Sequence, residues 1–169
     1  MGYDYKRLIE LIRYGTEDEL RKALVSFIER NRGSEEGMRT IRRIFLGLRL
    51  EPRLKIKKVF LMAVAETALW DPEILDTVFL IARDDPEPEL RSLAEQVALR
   101  VLKNSDEKNK KEVFMFILRA IDRRLVYLSP IDLVKIVGES FVRKLLEEEA
   151  IPRNLRELIE FGLSEAEKS

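Results

Sequence analysis

The sequence predicts an all-α fold, a right-handed stack of antiparallel helix pairs with about nine helices in all. Three observations carry this. Apolar residues recur with the 3.6-residue period along nearly the whole chain, with no sustained strict alternation. A short acid–Pro–x–Leu–basic phrase recurs, as EDELR at Glu17–Arg21, EPRLK at Glu51–Lys55 and EPELR at Glu87–Arg91. The phrases start at residues 17, 51 and 87, so their spacings are 34 and 36 residues. One helix precedes each phrase and another follows it, and a helix pair at such intervals is the mark of an α-solenoid.

Element by element, helix-forming periods alternate with caps. Tyr3–Tyr14 carries Leu8, Ile9, Leu11 and Ile12 at helical spacing and stops at Gly15. Thr16 and Glu19 form a T-x-x-E capping box, in which each side chain accepts from the other residue's backbone N–H. The second helix turns Leu20, Ala23, Leu24, Phe27 and Ile28 inward and ends at 31–33. Ser34 caps a third, with Met38, Ile41, Phe45 and Leu48 on its apolar face. Pro52 is expected in the first turn of a fourth helix, where a missing N–H costs nothing. That helix is apolar on nearly all sides through Val59–Ala65, which predicts a central, buried position.

Asp71–Pro72 starts the fifth helix, and Asp84, Asp85 and the following prolines end it and launch the sixth. The polar segment Asn104–Lys111 is expected to be the most mobile connection. A seventh helix runs through Phe114, Ile117, Leu118, Ile121 and Leu125. An eighth, capped at Ser129–Pro130, uses Leu133, Val137, Phe141, Leu145 and Leu146. Pro152 opens a short ninth helix, with a frayed tail from Ser164. The expectation is one domain over 1–169, with pairs at roughly 3–31, 34–69, 71–103 and 108–148 and a capping helix at 152–163.

Each phrase has a chemical logic. Its acids cap orphan N–H groups at the positive end of a helix, and proline fixes φ. Leu54 or Leu90 is the first inward anchor, and the basic residue stands near the turn. Asp84, Asp85, Pro88, Leu90 and Arg91, with Pro52 and Leu54 in the preceding copy, are therefore the structural turn residues.

Asp84–Leu99, DDPEPELRSLAEQVAL, resembles the core of a HEAT repeat, whose turn carries Asp-Pro, then a Val/Leu-Arg pair and an Ala-rich helix. The resemblance implies an inter-repeat ladder of acid–base contacts that Asp84 or Asp85 would join with Arg91. It is partial over Glu51–Ala68, and the copy at Glu17 lacks the proline. HEAT-like folds also include DNA glycosylases that use Trp, Asp and Arg on the inner surface. Trp70–Asp71 is too short a match to carry that over, and a plug and a helix cap explain the two residues more simply.

Composition narrows function. The 169 residues hold 31 Lys+Arg and 31 Asp+Glu, so no global charge draws the chain to nucleic acid or anionic membrane. There is no cysteine, which excludes disulfides and thiolate metal sites. Nor is there histidine, the commonest general base and metal ligand. No phosphate-binding glycine motif occurs. Neither catalytic nor metal-binding residues emerge, no cofactor is expected, and the chain reads as a non-enzyme. The acid clusters Glu35/Glu36 and Glu147–Glu149 fall at helix ends and read as solvated, and Met38, Met62 and Met115 read as core.

A charged fraction of 37% is typical of heat-adapted, thermophilic proteins, in which surface ion pairs form networks. MGYDYKRLIELIRYG lacks a signal-peptide core, and acids interrupt the most apolar stretch, so the expected location is cytoplasmic, off the membrane.

Charge is nevertheless uneven. From Met38 to Lys58 lie eight bases (Arg39, Arg42, Arg43, Arg49, Arg53, Lys55, Lys57 and Lys58) and one acid, Glu51. From Glu66 to Glu95 lie nine acids and two bases. Arg39, Arg42, Arg43, Arg49 and Arg53 are expected on a broad face opposite Ile41 and Leu48, able to receive phosphates or an acidic partner. Neighbours in the stack neutralising each other is the simpler account. The function expected is a scaffold or adaptor binding another macromolecule, a protein first. Nucleic-acid binding or base processing through the 38–58 face comes second, and homo-oligomerisation third.

Overall fold

A computed structural model describes residues 2–148 and 150–168, the side chains of Gly2 and Tyr3 excepted. Among these residues every regular element is helical. The ten α-helices are α1 (Gly2–Tyr14), α2 (Glu17–Asn31), α3 (Glu35–Leu46), α4 (Leu54–Thr67), α5 (Pro72–Asp84), α6 (Pro88–Asn104), α7 (Glu107–Asp122), α8 (Pro130–Val137), α9 (Glu139–Glu148) and α10 (Arg153–Lys168). A 3₁₀ turn, Gly47–Leu50, follows α3. No helix among them is long and apolar enough to cross a membrane.

The caps expected at Thr16, Ser34, Asp71 and Ser129 form, but the phrase acids Glu51 and Glu87 do not cap: α4 starts from Arg53 and α6 from Glu87 with no side-chain hydrogen bond to the first turn. Thr16 and Glu19 make both bonds of the capping box, Glu19 N–H to Thr16 Oγ1 at 3.1 Å and Thr16 N–H to Glu19 Oε1 at 3.2 Å. Ser34 Oγ accepts from Gly37 N at 3.0 Å. Gly37 is required there, because a Cβ would stand 1.8 Å from the Asn31 carbonyl oxygen. Asp71 caps α5 by accepting from Glu73 N and Ile74 N, with Pro72 in the first turn. Ser129 caps α8 in the same way, accepting from Ile131 N.

Five local features differ from expectation. The predicted eighth helix is two helices. Gly138 adopts φ +92°, a conformation other residues rarely take, and separates α8 from α9. The 104–111 connection is mostly helix: Asp106 accepts from Asn109 N, so α7 begins at Glu107 and only Ser105 and Asp106 link it to α6. Pro52 lies ahead of the α4 cap, Arg53, and outside the first turn. Leu54 therefore becomes the first helical residue and stays exposed, whereas its counterparts Leu20 and Leu90 are buried. Residues 164–168 continue α10, where Lys168 reaches Glu165 one turn back. Met62 points outward, while Met115 is core and Met38 lies partly buried against it.

Packing follows one order. α4 lies between α2 and α6, α6 also meets α8, and α8 meets α10. On the other side α3 packs on α5, and α5 packs along α6. One continuous core joins them, from Leu8 to Leu163. The apolar run of α4 buries Val59, Phe60, Leu61, Ala63, Val64 and Ala65, the central position its sequence predicts. Phe45 and Phe60 meet edge to face at 5.2 Å, and Phe114 meets Phe141 in the same manner at 5.8 Å. Gly162 lets α10 approach α8, since a Cβ there would meet the Pro130 carbonyl at 2.7 Å.

Candidate interaction surface

The eight bases of 38–58 are spread over several elements. α3 carries Arg39, Arg42 and Arg43, the 3₁₀ turn carries Arg49, Arg53 precedes α4, and α4 carries the lysines. Three of them are turned toward acids further along the chain. Arg42 Nε donates to Asp71 Oδ1 at 2.8 Å, while the other Asp71 oxygen caps α5. That bond holds the Arg42 guanidinium above its ordinary pKa. Lys57 Nζ donates to Asp85 Oδ2 at 2.8 Å, and Asp85 Oδ1 accepts from Glu87 N to shape the turn into α6. Lys58 Nζ meets Glu89 at 3.4 Å in the open.

Asp71 and Asp85 are both buried, and in each one oxygen accepts from a basic side chain while the other accepts from backbone N–H. A buried carboxylate requires that arrangement. These ion pairs span 29, 28 and 31 positions, so each joins a helix to a segment well beyond the next turn. A similar contact runs from Arg21 on α2 to Glu66 on α4, bidentate at 3.0 Å.

Arg91 does not join these contacts. Its Nη1 donates to the carbonyls of Asp85 and Pro86, at 2.6 and 3.3 Å, and so braces its own turn. Asp84 pairs only with its neighbour Arg83. Of the acids between Asp84 and Glu89, Asp85 alone makes a buried ion pair among the described residues. Arg32, which sequence reasoning passed over, donates to the carbonyls of Thr67 and Ala68 at the end of α4. Ala68 there is left-handed, φ +47°.

The remaining bases face out. Arg53 is engaged by Glu51, through Nε to Oε1 at 2.6 Å, which raises Arg53 and lowers Glu51 from their ordinary values. Arg39, Arg43, Arg49 and Lys55 are exposed and make no ion pair with any described residue. Exposed apolar side chains stand among them, with Leu50 at 88% exposure, Leu46 at 43% and Leu54 at 38%.

Beside them runs an apolar groove of about 270 Å³, walled by Tyr5, Ile9 and Ile12 of α1 and by Ile44 and Arg43 of α3, over Leu48 and Phe60. It opens because α1 packs mainly on α2, whereas α3 packs on α5. A second hollow adjoins it through Ile12 and Ile56 and is rimmed by Arg13, Glu17, Arg53 and Lys55. Two copies of the repeat phrase meet at the second hollow, through Glu17 and Leu20 of the first and Arg53, Leu54 and Lys55 of the second; the phrase itself gave no sign that its turns would border an open groove.

Trp70 is half-buried against α7. Its ring meets Phe116 edge to face at 5.2 Å, and its Nε1 donates to Glu112 at 3.4 Å. Asp71 beside it is committed to its cap and to Arg42, so the Trp–Asp pair forms no open site. Glu35 and Glu36 lie in the first turn of α3, and Glu148 meets Lys144 one turn back; Glu149 lies outside the described residues. Among the described residues no group of three or more acids could hold a metal ion. Comparisons with family models, with curated proteins and with solved structures find no match for this chain.

Proposed function

We propose that this chain is a HEAT-like α-solenoid that acts as a non-enzymatic scaffold, binding another protein. The packing order α2–α4–α6–α8, with α3 against α5, supports a stack of helix pairs, which we take to be antiparallel and right-handed as in HEAT repeats. Contacts from one pair to the next (Arg42–Asp71, Lys57–Asp85) support the repeat relation. The observation that carries the binding role is the outward set Arg39, Arg43, Arg49 and Lys55, which make no close ion pair with a described residue, Arg49 feeling Asp76 at longer range, and which are interleaved with exposed Leu46, Leu50 and Leu54. Exposed apolar side chains gathered with unmatched charge mark an interaction surface more than a solvated face.

Crosslinking on the native host's extract, followed by affinity purification, tests it. A stoichiometric protein crosslinked within 38–58, and reconstituted from purified components, is the expected result. A free monomer under all conditions would contradict the reading.

The same four cations favour a second reading, nucleic-acid binding. Four unpaired cations can release phosphate counterions, so such binding would weaken steeply with salt. Titrating duplex and single-stranded DNA and RNA across a salt series decides it. Micromolar binding with a steep slope, lost on Arg39→Glu with Arg43→Glu, would favour nucleic acid; no binding at low salt would remove it.

A further inference from the structure

Resting on the scaffold reading, we propose that the groove between α1 and α3 is a docking site for an acidic amphipathic helix, with apolar side chains on one face and carboxylates beside them. The groove offers apolar walls, Ile9, Ile12 and Ile44, above a floor of Leu48 and Phe60. Those side chains give a phosphate backbone nothing to bind, but they suit Leu or Phe from a peptide.

The rim decides the charge. Across the two joined hollows stand four cations (Arg13, Arg43, Arg53, Lys55) against two carboxylates, Glu17 and Glu51. Glu51 is already held by Arg53. Arg13, Arg43 and Lys55 are exposed and make no ion pair with described residues. A partner with acids on its flanks satisfies them, and one with bases meets like charge. The groove, about 270 Å³, and the adjoining hollow, about 680 Å³, together give room for several side chains of one short helical segment.

The test uses two labelled designed helices of about 15 residues, stapled to hold their shape. Both carry Leu along one face; one has Glu on its flanks and the other Lys. Fluorescence anisotropy with the whole chain is expected to show the acidic helix binding at least about tenfold tighter at low salt, with the gap closing as salt screens it. Arg43→Glu and Lys55→Glu lie on exposed side chains, so folding should survive, and each should weaken the acidic helix about tenfold and improve the basic one.

Equal binding of both helices, or none, overturns the proposal. So does displacement of the acidic helix by an oligonucleotide that binds more tightly, which would assign the rim to phosphates. A host partner that crosslinks to 38–58 while neither helix binds would sink this proposal and leave the scaffold reading standing. Failure to recover any partner, with the acidic helix bound, would do the reverse.

Discussion

Asp71 and Asp85 do the same two jobs at successive turns: one oxygen takes a cation from an earlier helix and the other takes backbone N–H groups. Asp84, the other half of the same dipeptide, does neither. Asp71→Ala should therefore cost about 1–3 kcal/mol, from a lost cap and a stranded Arg42, while Asp84→Ala should stay within about 0.5 kcal/mol. Denaturant unfolding of the two variants side by side checks this, and equal effects would contradict it. Leu90 is 1% exposed at the head of α6. Leu90→Ala should cost about 2–5 kcal/mol; a loss below about 1 kcal/mol would mean that this face of α6 is not the packed one. Leu90 could be read from the phrase, because a leucine three residues into a capped helix faces the core. Leu54 could not, because its helix starts two residues late and the same letter falls on the other side.

At the scale of elements, caps written in side chains were legible and backbone reversals without a strong side-chain signature were not. Thr16–Glu19, Ser34, Asp71–Pro72 and Ser129–Pro130 all cap where their chemistry says. Gly138 sits inside an unbroken apolar period, which hid the break between α8 and α9. The groove was hidden for a related reason: whether α1 closes on α3 is set by tertiary packing, and each helix alone reads as an ordinary amphipath. Close approach also leaves a mark at Gly162, where the α10 backbone meets the Pro130 carbonyl of α8. Gly162→Ala should push α10 off the Pro130 carbonyl and cost about 1–3 kcal/mol, read from thermal or urea unfolding. An unchanged midpoint would mean that α8 and α10 sit further apart than described.

Over the whole molecule, the uneven charge resolves into two parts: bases that reach forward to later acids, and bases left on the surface beside the groove. Stability also depends on carboxylates held in caps and by near neighbours along the chain. Hydrogen bonds and nearby cations hold Asp18, Glu19, Glu51 and Asp84 below their ordinary values of 3.8 and 4.5. Groups lowered in this way contribute stability above their unfolded pKa and lose it as pH falls through the folded one. Asp76, raised by burial, has the opposite sign but stands alone. With no histidine in the chain, the urea midpoint should be flat from about pH 6 to 8 and fall below about pH 4.5. A slope in the neutral range would contradict this.

The central claim is the stack itself, in which α4 lies between α2 and α6. Because the chain has no cysteine, spin labels can be placed at Arg21→Cys with Glu66→Cys, and at Lys58→Cys with Glu89→Cys, without background. Both pairs are on the surface, where the native side chains meet at 3.0 and 3.4 Å. Dipolar broadening of the continuous-wave nitroxide spectrum, which reads short separations, should be strong for each doubly labelled pair. A spectrum equal to the sum of the two single labels for either pair would contradict the stack.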